Sequence, residues 1–153
     1  MESMNSMADV KTFLSKKRIA IAGVSRSGNK FGNMAAKELK KKGYEIYPVN
    51  PEADEIQGEK CYRSIAAIET APEGALIITP PGRTAEAVKD ALDAGVKDIW
   101  IQQGAESEQA AELAGQSGGR VISGECVLMF AEPTAFYHKI HRWIWRALGK
   151  LPS

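Results

Sequence analysis

The sequence is poor in cysteine and histidine, and it carries almost no net charge. Its two cysteines, Cys61 and Cys126, stand far apart and lack the paired spacing of a zinc site, so we interpret both as reduced thiols. A net charge of +1 provides no basic field for nucleic acid, and no apolar run is long enough to cross a bilayer. The N-terminus also lacks the apolar core of a secretory signal. These absences predict a soluble, cytoplasmic chain with no nucleic-acid partner and no membrane span.

The composition is that of one ordinary globular domain. At 153 residues, with 44% hydrophobic and 25% charged residues, the chain can bury a core large enough to fold alone. We expect residues 1–8 to be disordered, residues 9–130 to form the folded domain, and residues 131–153 to form a helical extension.

A strand followed by a glycine-punctuated loop organises the chain. The segment from Ile19 to Val24 is apolar throughout, as a parallel strand that is buried on both faces requires. The pattern Gly23-x-Ser25-x-x-Gly28 is close to the dinucleotide-binding fingerprint, but it carries serine at the position of the second glycine. That side chain hinders the closest approach of a pyrophosphate, although its hydroxyl can donate to a phosphate oxygen. The loop therefore indicates a binding site for a phosphorylated ligand.

The same strand and helix unit recurs along the chain. Further strands are predicted at residues 44–50, 74–79, 98–103 and 120–123, and helices at residues 29–42, 64–68, 85–94 and 106–116, with a first helix capped by Asp9. This alternation predicts an α/β fold, namely a single Rossmann-like domain whose five-stranded parallel sheet has helices on both faces. Apolar residues at helical spacing over 132–149 add an amphipathic C-terminal helix.

In such a sheet, ligands bind where the loops after the strands converge. The polar and charged residues of these loops are Ser25, Arg26, Ser27, Lys30, Asn50, Thr79, Arg83, Gln102 and Gln103. Arg26, Lys30 and Arg83 can neutralise phosphate charges, or they can be ordinary solvated surface residues. The set contains no nucleophile with an adjacent base and acid. It therefore predicts binding of a polyanion, with no catalysis and no metal.

Two loop features bear on which nucleotide is bound. Asn50 stands at the end of the second strand, where a nicotinamide dinucleotide enzyme usually has an acid for the ribose hydroxyls. Pro80 and Pro81 follow the third strand and remove two backbone donors, so they can form an apolar wall for a purine ring. Alternatively, the two prolines only start the next helix, with Thr84 as its cap.

Motifs on four separate loops also carry a family resemblance. They are Gly23-Val-Ser25, Lys30-Phe-Gly32, Tyr47-Pro-Val-Asn-Pro51, Gly58-x-x-Cys61-Tyr62, Thr79-Pro-Pro81, Trp100-x-Gln102-x-Gly104-Ala-Glu and Gly124-x-Cys126. In this order they resemble the small stand-alone coenzyme A-binding proteins, which are similar to the N-terminal domain of the succinyl-CoA synthetase alpha subunit. The resemblance covers roughly Lys11 to Met129.

The resemblance implies coenzyme A or an acyl-CoA as the ligand. It implies that the glycine loop holds the phosphates, that two loops flank the adenosine, and that a fourth lines the far side. Together with the basic residues Arg26 and Arg83 that the loops suggest as phosphate contacts, the predicted binding residues are Gly23, Val24, Ser25 and Lys30, then Asn50, Pro51, Thr79, Pro80 and Pro81, and finally Gln102, Gln103 and Gly104. A synthetase also needs a phosphorylatable histidine in a second domain and a nucleotide-grasp partner, so we expect no ligase reaction from this chain alone.

Three alternatives stay open. An NAD(P)-binding oxidoreductase or redox sensor would use the same cleft. An acyl-transfer enzyme would use Cys126 or Cys61, although buried structural thiols are the favoured interpretation. An interaction protein would use the C-terminal helix, where Trp145 falls opposite the apolar stripe and suggests a homodimer. His138 and His141 lie beyond the matched region and have no third metal ligand in view.

Overall fold

The computed structural model describes residues 7–127, and strands alternate with helices along that range. The helices are α1 (Met7–Leu14), α2 (Phe31–Lys41), α3 (Pro81–Asp93) and α4 (Glu108–Gln116), with a short 3-10 helix at Ile65–Ala67. The strands are β1 (Arg18–Ala22), β2 (Glu45–Val49), β3 (Glu55–Ile56), β4 (Glu59–Lys60), β5 (Gly74–Ile77), β6 (Asp98–Gln102) and β7 (Arg120–Glu125).

The predicted five-stranded parallel sheet is confirmed. Its strand order is β2-β1-β5-β6-β7, and every neighbouring pair is parallel. From β1 the chain moves outward to β2, and it then returns to the other side of β1 with β5. Strand order therefore reverses between β1 and β5, which is where a doubly wound sheet opens a crevice at the carboxyl ends of its strands.

The sheet separates two apolar cores, because successive residues of a buried strand point to opposite faces. One core contains Ile19 and Ile21 of β1 with Phe13 of α1 and Leu39 of α2, and the other contains Ala20 and Ala22 with Val88 of α3 and Ala110 of α4. Helices therefore cover both faces, as predicted, with α1 and α2 on one face and α3 and α4 on the other. In the first core the rings of Phe13 and Trp100 meet edge to face, with centroids 5.3 Å apart.

Two helix starts differ from the sequence prediction. Helix α1 begins at Met7, within the segment predicted to be disordered, so Asp9 lies in its first turn and is not its cap. Helix α3 begins at Pro81 with Pro80 as its N-cap, so the prediction that Thr84 caps this helix is wrong. Proline suits the first helical position because its fixed φ is helical and its missing N–H would have no partner inside the helix.

No strand or helix was predicted for residues 52–62, but this segment contains the antiparallel hairpin of β3 and β4. Its turn is formed by Gln57 and Gly58, which have φ values of +51° and +81°. Two successive left-handed residues are the signature of the tight hairpin turn for which Asn-Gly is the usual pair. Glutamine tolerates this conformation less well than asparagine, so the signal was weak.

Several predictions for the two ends of the chain fall outside the described residues. These predictions are the disorder of residues 1–6, the amphipathic helix over 132–149, the homodimer through Trp145, and the histidine pair His138 and His141. Within residues 7–127, no helix is long and apolar enough to cross a membrane.

Candidate functional site

A cleft of about 460 Å³ opens at the carboxyl ends of β1, β2 and β5. We call it the carboxyl-end cleft, and its volume is typical of small-molecule sites. The residues that line it are Ala22, Gly23, Val24, Ser25, Val49, Asn50, Pro51, Glu52, Arg63, Ser64, Thr79, Pro80, Arg83, Glu86, Ala87 and Asp90. Three loops that are far apart in the sequence therefore meet at one place, which is the point where the strand order reverses.

Close backbone packing at Gly23 and Gly32 shapes the first of these loops. Gly23 has a φ of +114°, and a Cβ there would lie 2.3 Å from the carbonyl oxygen of Ile78. A Cβ at Gly32, in the first turn of α2, would lie 2.5 Å from the carbonyl oxygen of Gly23. Both positions therefore require glycine. The glycine that lets the helix approach the strand is Gly32, not the fingerprint position Gly28 that the spacing suggested.

Gly28 instead faces the hairpin. A Cβ on Gly28 would lie 2.1 Å from Nε2 of Gln57, at the turn between β3 and β4. The hairpin turn therefore packs directly on the glycine loop. Sequence reasoning missed this contact because it missed the hairpin.

Hydrogen bonds within the glycine loop fix Ser25. The Asn33 side chain accepts from the Ser25 N–H over 3.1 Å and donates to the Ser25 carbonyl over 3.0 Å. The Ser27 hydroxyl donates its single proton to Asn29 Oδ1 over 2.7 Å. In the 2.9 Å hydrogen bond between the Ser25 and Ser27 hydroxyls, Ser25 must therefore be the donor. The Ser25 hydroxyl, which the sequence suggested as a phosphate donor, is thus already used within the loop.

Asn50 connects the second loop to the first. Its Nδ2 donates to the carbonyl oxygen of Val24 over 2.8 Å, and its Oδ1 accepts from the Glu52 N–H over 2.8 Å. The second bond is an Asx turn, which holds the chain at Pro51. Asn50 therefore lies in the cleft wall mainly as a connector between the ends of β1 and β2.

The third loop contributes Thr79 and the start of α3. The Thr79 and Thr84 hydroxyl oxygens lie 2.8 Å apart, and Thr84 is fully buried while Thr79 is half-buried in the cleft wall. Pro80 lines the cleft, whereas Pro81 is the first residue of α3 and does not contribute to the lining.

Charge in the carboxyl-end cleft is mixed. Its lining includes two arginines, Arg63 and Arg83, and three carboxylates, Glu52, Glu86 and Asp90. One carboxylate is already used, because Asp90 Oδ2 accepts from the Ile65 N–H over 2.7 Å. The cleft is therefore less cationic than the sequence indicated.

Of the three basic residues predicted around one cleft, Arg83 alone is in the lining. Arg26 forms an exposed ion pair with Glu52, with 3.5 Å between the charged groups. Lys30 lines a neighbouring groove of about 560 Å³ instead, on the side of α2 that faces the hairpin. Val24 lines both spaces, so the groove adjoins the cleft without being part of it.

Arg63 is a cleft residue that sequence reasoning did not single out. Its guanidinium contacts both carboxylate oxygens of Asp54, at 2.8 and 3.3 Å, and donates to the Pro51 carbonyl over 3.1 Å. The Arg63 hydrogen bond lowers the pKa of the Asp54 carboxyl below its usual value. Arg63 therefore holds the loop that follows β2. Only its place one residue after the Cys61-Tyr62 motif could have drawn attention to it.

Gln102, Gln103 and Gly104 do not line the carboxyl-end cleft. Gln102 is buried, and its Oε1 accepts from the Val127 N–H over 3.1 Å. The Gly104 N–H donates to Glu106 Oε1 over 2.8 Å. The Gln103 N–H donates to the Glu125 carbonyl over 3.0 Å, and its buried Oε1 has no hydrogen-bond partner among residues 7–127.

Both cysteines are buried, as the structural interpretation expected. Cys126 is fully buried in the core of α1 and α2, and Cys61 is 3% exposed. Burial raises the pKa of the Cys61 thiol. A raised pKa leaves less of the reactive thiolate near neutral pH, which disfavours acyl transfer through this residue.

Comparison with known proteins decides the family. A family profile described as a CoA binding domain matches residues 17–132, which is most of the chain. The chain belongs to this CoA-binding domain family. The match spans β1 to β7, so it includes each of the three loops that form the carboxyl-end cleft.

Relatives of this CoA-binding domain occur both alone and within larger proteins. The uncharacterized protein YneT of Bacillus subtilis is 30% identical over 123 residues, covering 80% of this chain and 91% of its own. The alpha subunit of acetate–CoA ligase [ADP-forming] II of Pyrococcus furiosus is also 30% identical, over 75% of this chain. The match spans only 28% of that subunit.

A solved structure shows the same fold. The hypothetical protein from Pyrococcus horikoshii superposes with a TM-score of 0.74 at 30% identity, over 83% of this chain and 94% of its own. The resemblance to CoA-binding domains that the loop motifs indicated is therefore confirmed.

Proposed function

We propose that this domain binds coenzyme A, or an acyl derivative of it, in the carboxyl-end cleft. The observation that carries the proposal is the convergence of Ser25, Asn50 and Thr79, from three separate loops, on one cleft at the reversal of strand order. These loops bear the motifs that resemble the family, and the family match includes all three. The cleft volume of about 460 Å³ suits the nucleotide part of the ligand.

The phosphates fit best at the glycine loop. There α2 begins at Phe31, and its first turn packs against Gly23, so the positive end of the helix dipole lies at the cleft wall. The backbone at the start of α3 offers an anion no comparable donors, because Pro80 and Pro81 have no N–H and the Arg83 N–H already donates to the Pro80 carbonyl over 2.8 Å, so on that side only the Arg83 side chain could reach a phosphate. This asymmetry supports a placement with the phosphates beside the glycine loop and the base beside Pro80.

Arg83 supplies the cleft's available cation. It is exposed in the first turn of α3, and it has no ion-pair partner within residues 7–127. Arg63, by contrast, is already bound to Asp54. A charge-assisted contact from Arg83 to a ligand phosphate would contribute about 1.5–3 kcal/mol. Arg26 can join it only by leaving Glu52.

The remaining predicted contacts play smaller parts in this proposal. Lys30 would meet a phosphate only from the adjoining groove, and Pro51 and Pro80 would contact the adenosine. Gln102, Gln103 and Gly104 would meet the ligand only where it extends beyond the cleft toward β6.

Isothermal titration calorimetry of the protein with CoA, acetyl-CoA and NADH tests the proposal. We expect saturable binding of CoA and none of NADH. Replacing Arg83 with glutamine should weaken CoA binding about tenfold or more. Arg120→Gln is the matched control, because Arg120 pairs with Asp98 at the opposite end of the sheet and its loss should leave the affinity unchanged. Binding of NADH without any binding of CoA would overturn the proposal in favour of a dinucleotide enzyme.

A further inference from the structure

The hydroxyl groups of Thr79 and Thr84 form a short hydrogen-bonded chain behind the carboxyl-end cleft. Thr84 Oγ1 lies 2.6 Å from the Ala105 carbonyl oxygen, 3.2 Å from the Pro80 carbonyl oxygen and 2.8 Å from Thr79 Oγ1. Thr84 is fully buried in the first turn of α3, so no water competes for these contacts.

Because each hydroxyl has only one proton, the donor and the acceptor of each hydrogen bond between Thr79, Thr84 and Ala105 can be assigned. A hydroxyl carries one proton, and two oxygens 2.6 Å apart need a proton between them. A carbonyl cannot provide it, so the Thr84 proton points to the Ala105 carbonyl oxygen. The 2.8 Å contact between the two threonines must then be bridged by the Thr79 proton.

As a result, the Thr79 hydroxyl can only accept hydrogen bonds from a ligand. Its proton points toward Thr84 inside the protein, and Thr79 itself is a half-buried residue of the cleft lining, so only the lone pairs of its oxygen remain for a ligand. A phosphate oxygen, which carries no proton, gains nothing from such a group. An amine gains a hydrogen bond.

We propose that Thr84 is a positioning residue that makes Thr79 a hydrogen-bond acceptor, and that Thr79 selects the exocyclic amine of adenine. This inference rests on the proposed CoA-binding function, and it adds the specificity of the base site. The cleft lining includes apolar residues that a base can contact, namely Pro80 beside Thr79, and Val49 and Ala87. A ribose hydroxyl both donates and accepts, so it would not need a fixed acceptor.

The test compares CoA with its 6-oxo analogue, in which hypoxanthine replaces adenine. The analogue presents an acceptor where adenine presents a donor, so it would face the Thr79 oxygen with no proton between them. We expect the wild type to prefer CoA by about tenfold or more in calorimetric titrations. In Thr84→Val the Thr79 proton is released and can turn toward the oxo group, so the preference should fall to about threefold or less.

Two further variants separate positioning from folding. Thr84→Ser keeps the hydroxyl and should keep the full preference for CoA. Thr79→Val removes the acceptor but leaves the bond from Thr84 to Ala105, so it should abolish the preference even if Thr84→Val fails to fold. Thermal unfolding of each variant reports its stability separately from the affinity ratio.

The outcomes distinguish this inference from the proposed function. Binding of CoA and the 6-oxo analogue with equal affinity by the wild type would overturn the base assignment alone. An unchanged preference in Thr79→Val would also overturn it. Failure of the wild type to bind CoA at all would overturn the proposed function and this inference with it.

Discussion

The Asn50 side chain donates through Nδ2 to the carbonyl oxygen of Val24, 2.8 Å away. This bond joins the loop after β2 to the loop after β1, and the two loops form adjacent walls of the carboxyl-end cleft. Because Oδ1 of the same side chain accepts from the Glu52 N–H, both ends of the Asn50 amide are needed where they are. An aspartate at this position would be nearly identical in shape but would have no proton to donate.

Replacing Asn50 with aspartate should therefore destabilise the fold. A carboxylate oxygen would face the Val24 carbonyl oxygen in place of the Asn50 amide donor. The hydrogen bond would be lost and the Val24 carbonyl left unpaired, which should lower the free energy of unfolding by about 1–3 kcal/mol. Urea denaturation followed by circular dichroism measures this change. The variant also carries the acid that nicotinamide enzymes use, and we expect it to gain no NADH binding. Full stability together with new NADH binding would contradict our account of Asn50.

The contact between Gly32 and Gly23 predicts a strong effect of one methyl group. Gly32→Ala would place its Cβ 2.5 Å from the Gly23 carbonyl oxygen, so α2 would have to move away from the cleft wall. We expect a loss of about 1–3 kcal/mol of unfolding free energy and weaker CoA binding.

The matched control is Gly115→Ala. Gly115 lies in α4, and no atom outside the adjacent residues and its own helix backbone lies within 4 Å of the added Cβ, so the substitution should leave CoA binding unchanged and stabilise the protein slightly. Equal stability and equal CoA affinity of Gly32→Ala and Gly115→Ala would contradict the account, because they would show that neither the fold nor CoA binding depends on the close approach of α2 to Gly23.

The burial of the two cysteines predicts slow chemical labelling. Burial raises the pKa of the Cys61 thiol, so a smaller fraction of it is thiolate at pH 7. The rate of Cys61 labelling should therefore continue to rise with pH in the range where the labelling rate of a free thiol has become constant. Mass spectrometry after incubation with iodoacetamide, or with an acyl-CoA, should show little modification of the native protein. Both thiols should react in denaturant. Rapid labelling of one native thiol, or a stable acyl adduct, would instead support an acyl-transfer enzyme.

The sequence predicted the fold well because the central strands β1 and β5 are almost wholly apolar runs and several helices end at a glycine. The run from Ile19 to Val24 and the helix stop at Gly43 are local signals that tertiary contacts reinforce. The start of α3 was harder to place. Thr84 is a common capping residue, but the fixed φ of Pro81 let the helix begin one turn earlier and carried Thr84 into the core.

The location of the carboxyl-end cleft could be predicted from the sequence, whereas the charges that line it could not. Topology places the ends of β1, β2 and β5 together whatever their side chains are, so Ser25, Asn50 and Thr79 were correctly expected in one region. Partner choice depends on three-dimensional distances. No sequence pattern showed that Arg26 pairs with Glu52, or that Arg63 pairs with Asp54 beside the cleft. The hairpin that packs on Gly28 was missed for the related reason that its strands are very short.

The most direct test of the central claim is a titration of isotopically labelled protein with CoA, followed by backbone amide NMR. The account predicts that the amides of Gly23, Val24, Ser25, Asn50, Thr79 and Arg83 shift together along one saturable curve. It predicts that amides at the opposite end of the sheet, such as those of Arg18 and Arg120, stay in place. Saturable shifts confined to residues outside the carboxyl-end cleft would contradict it.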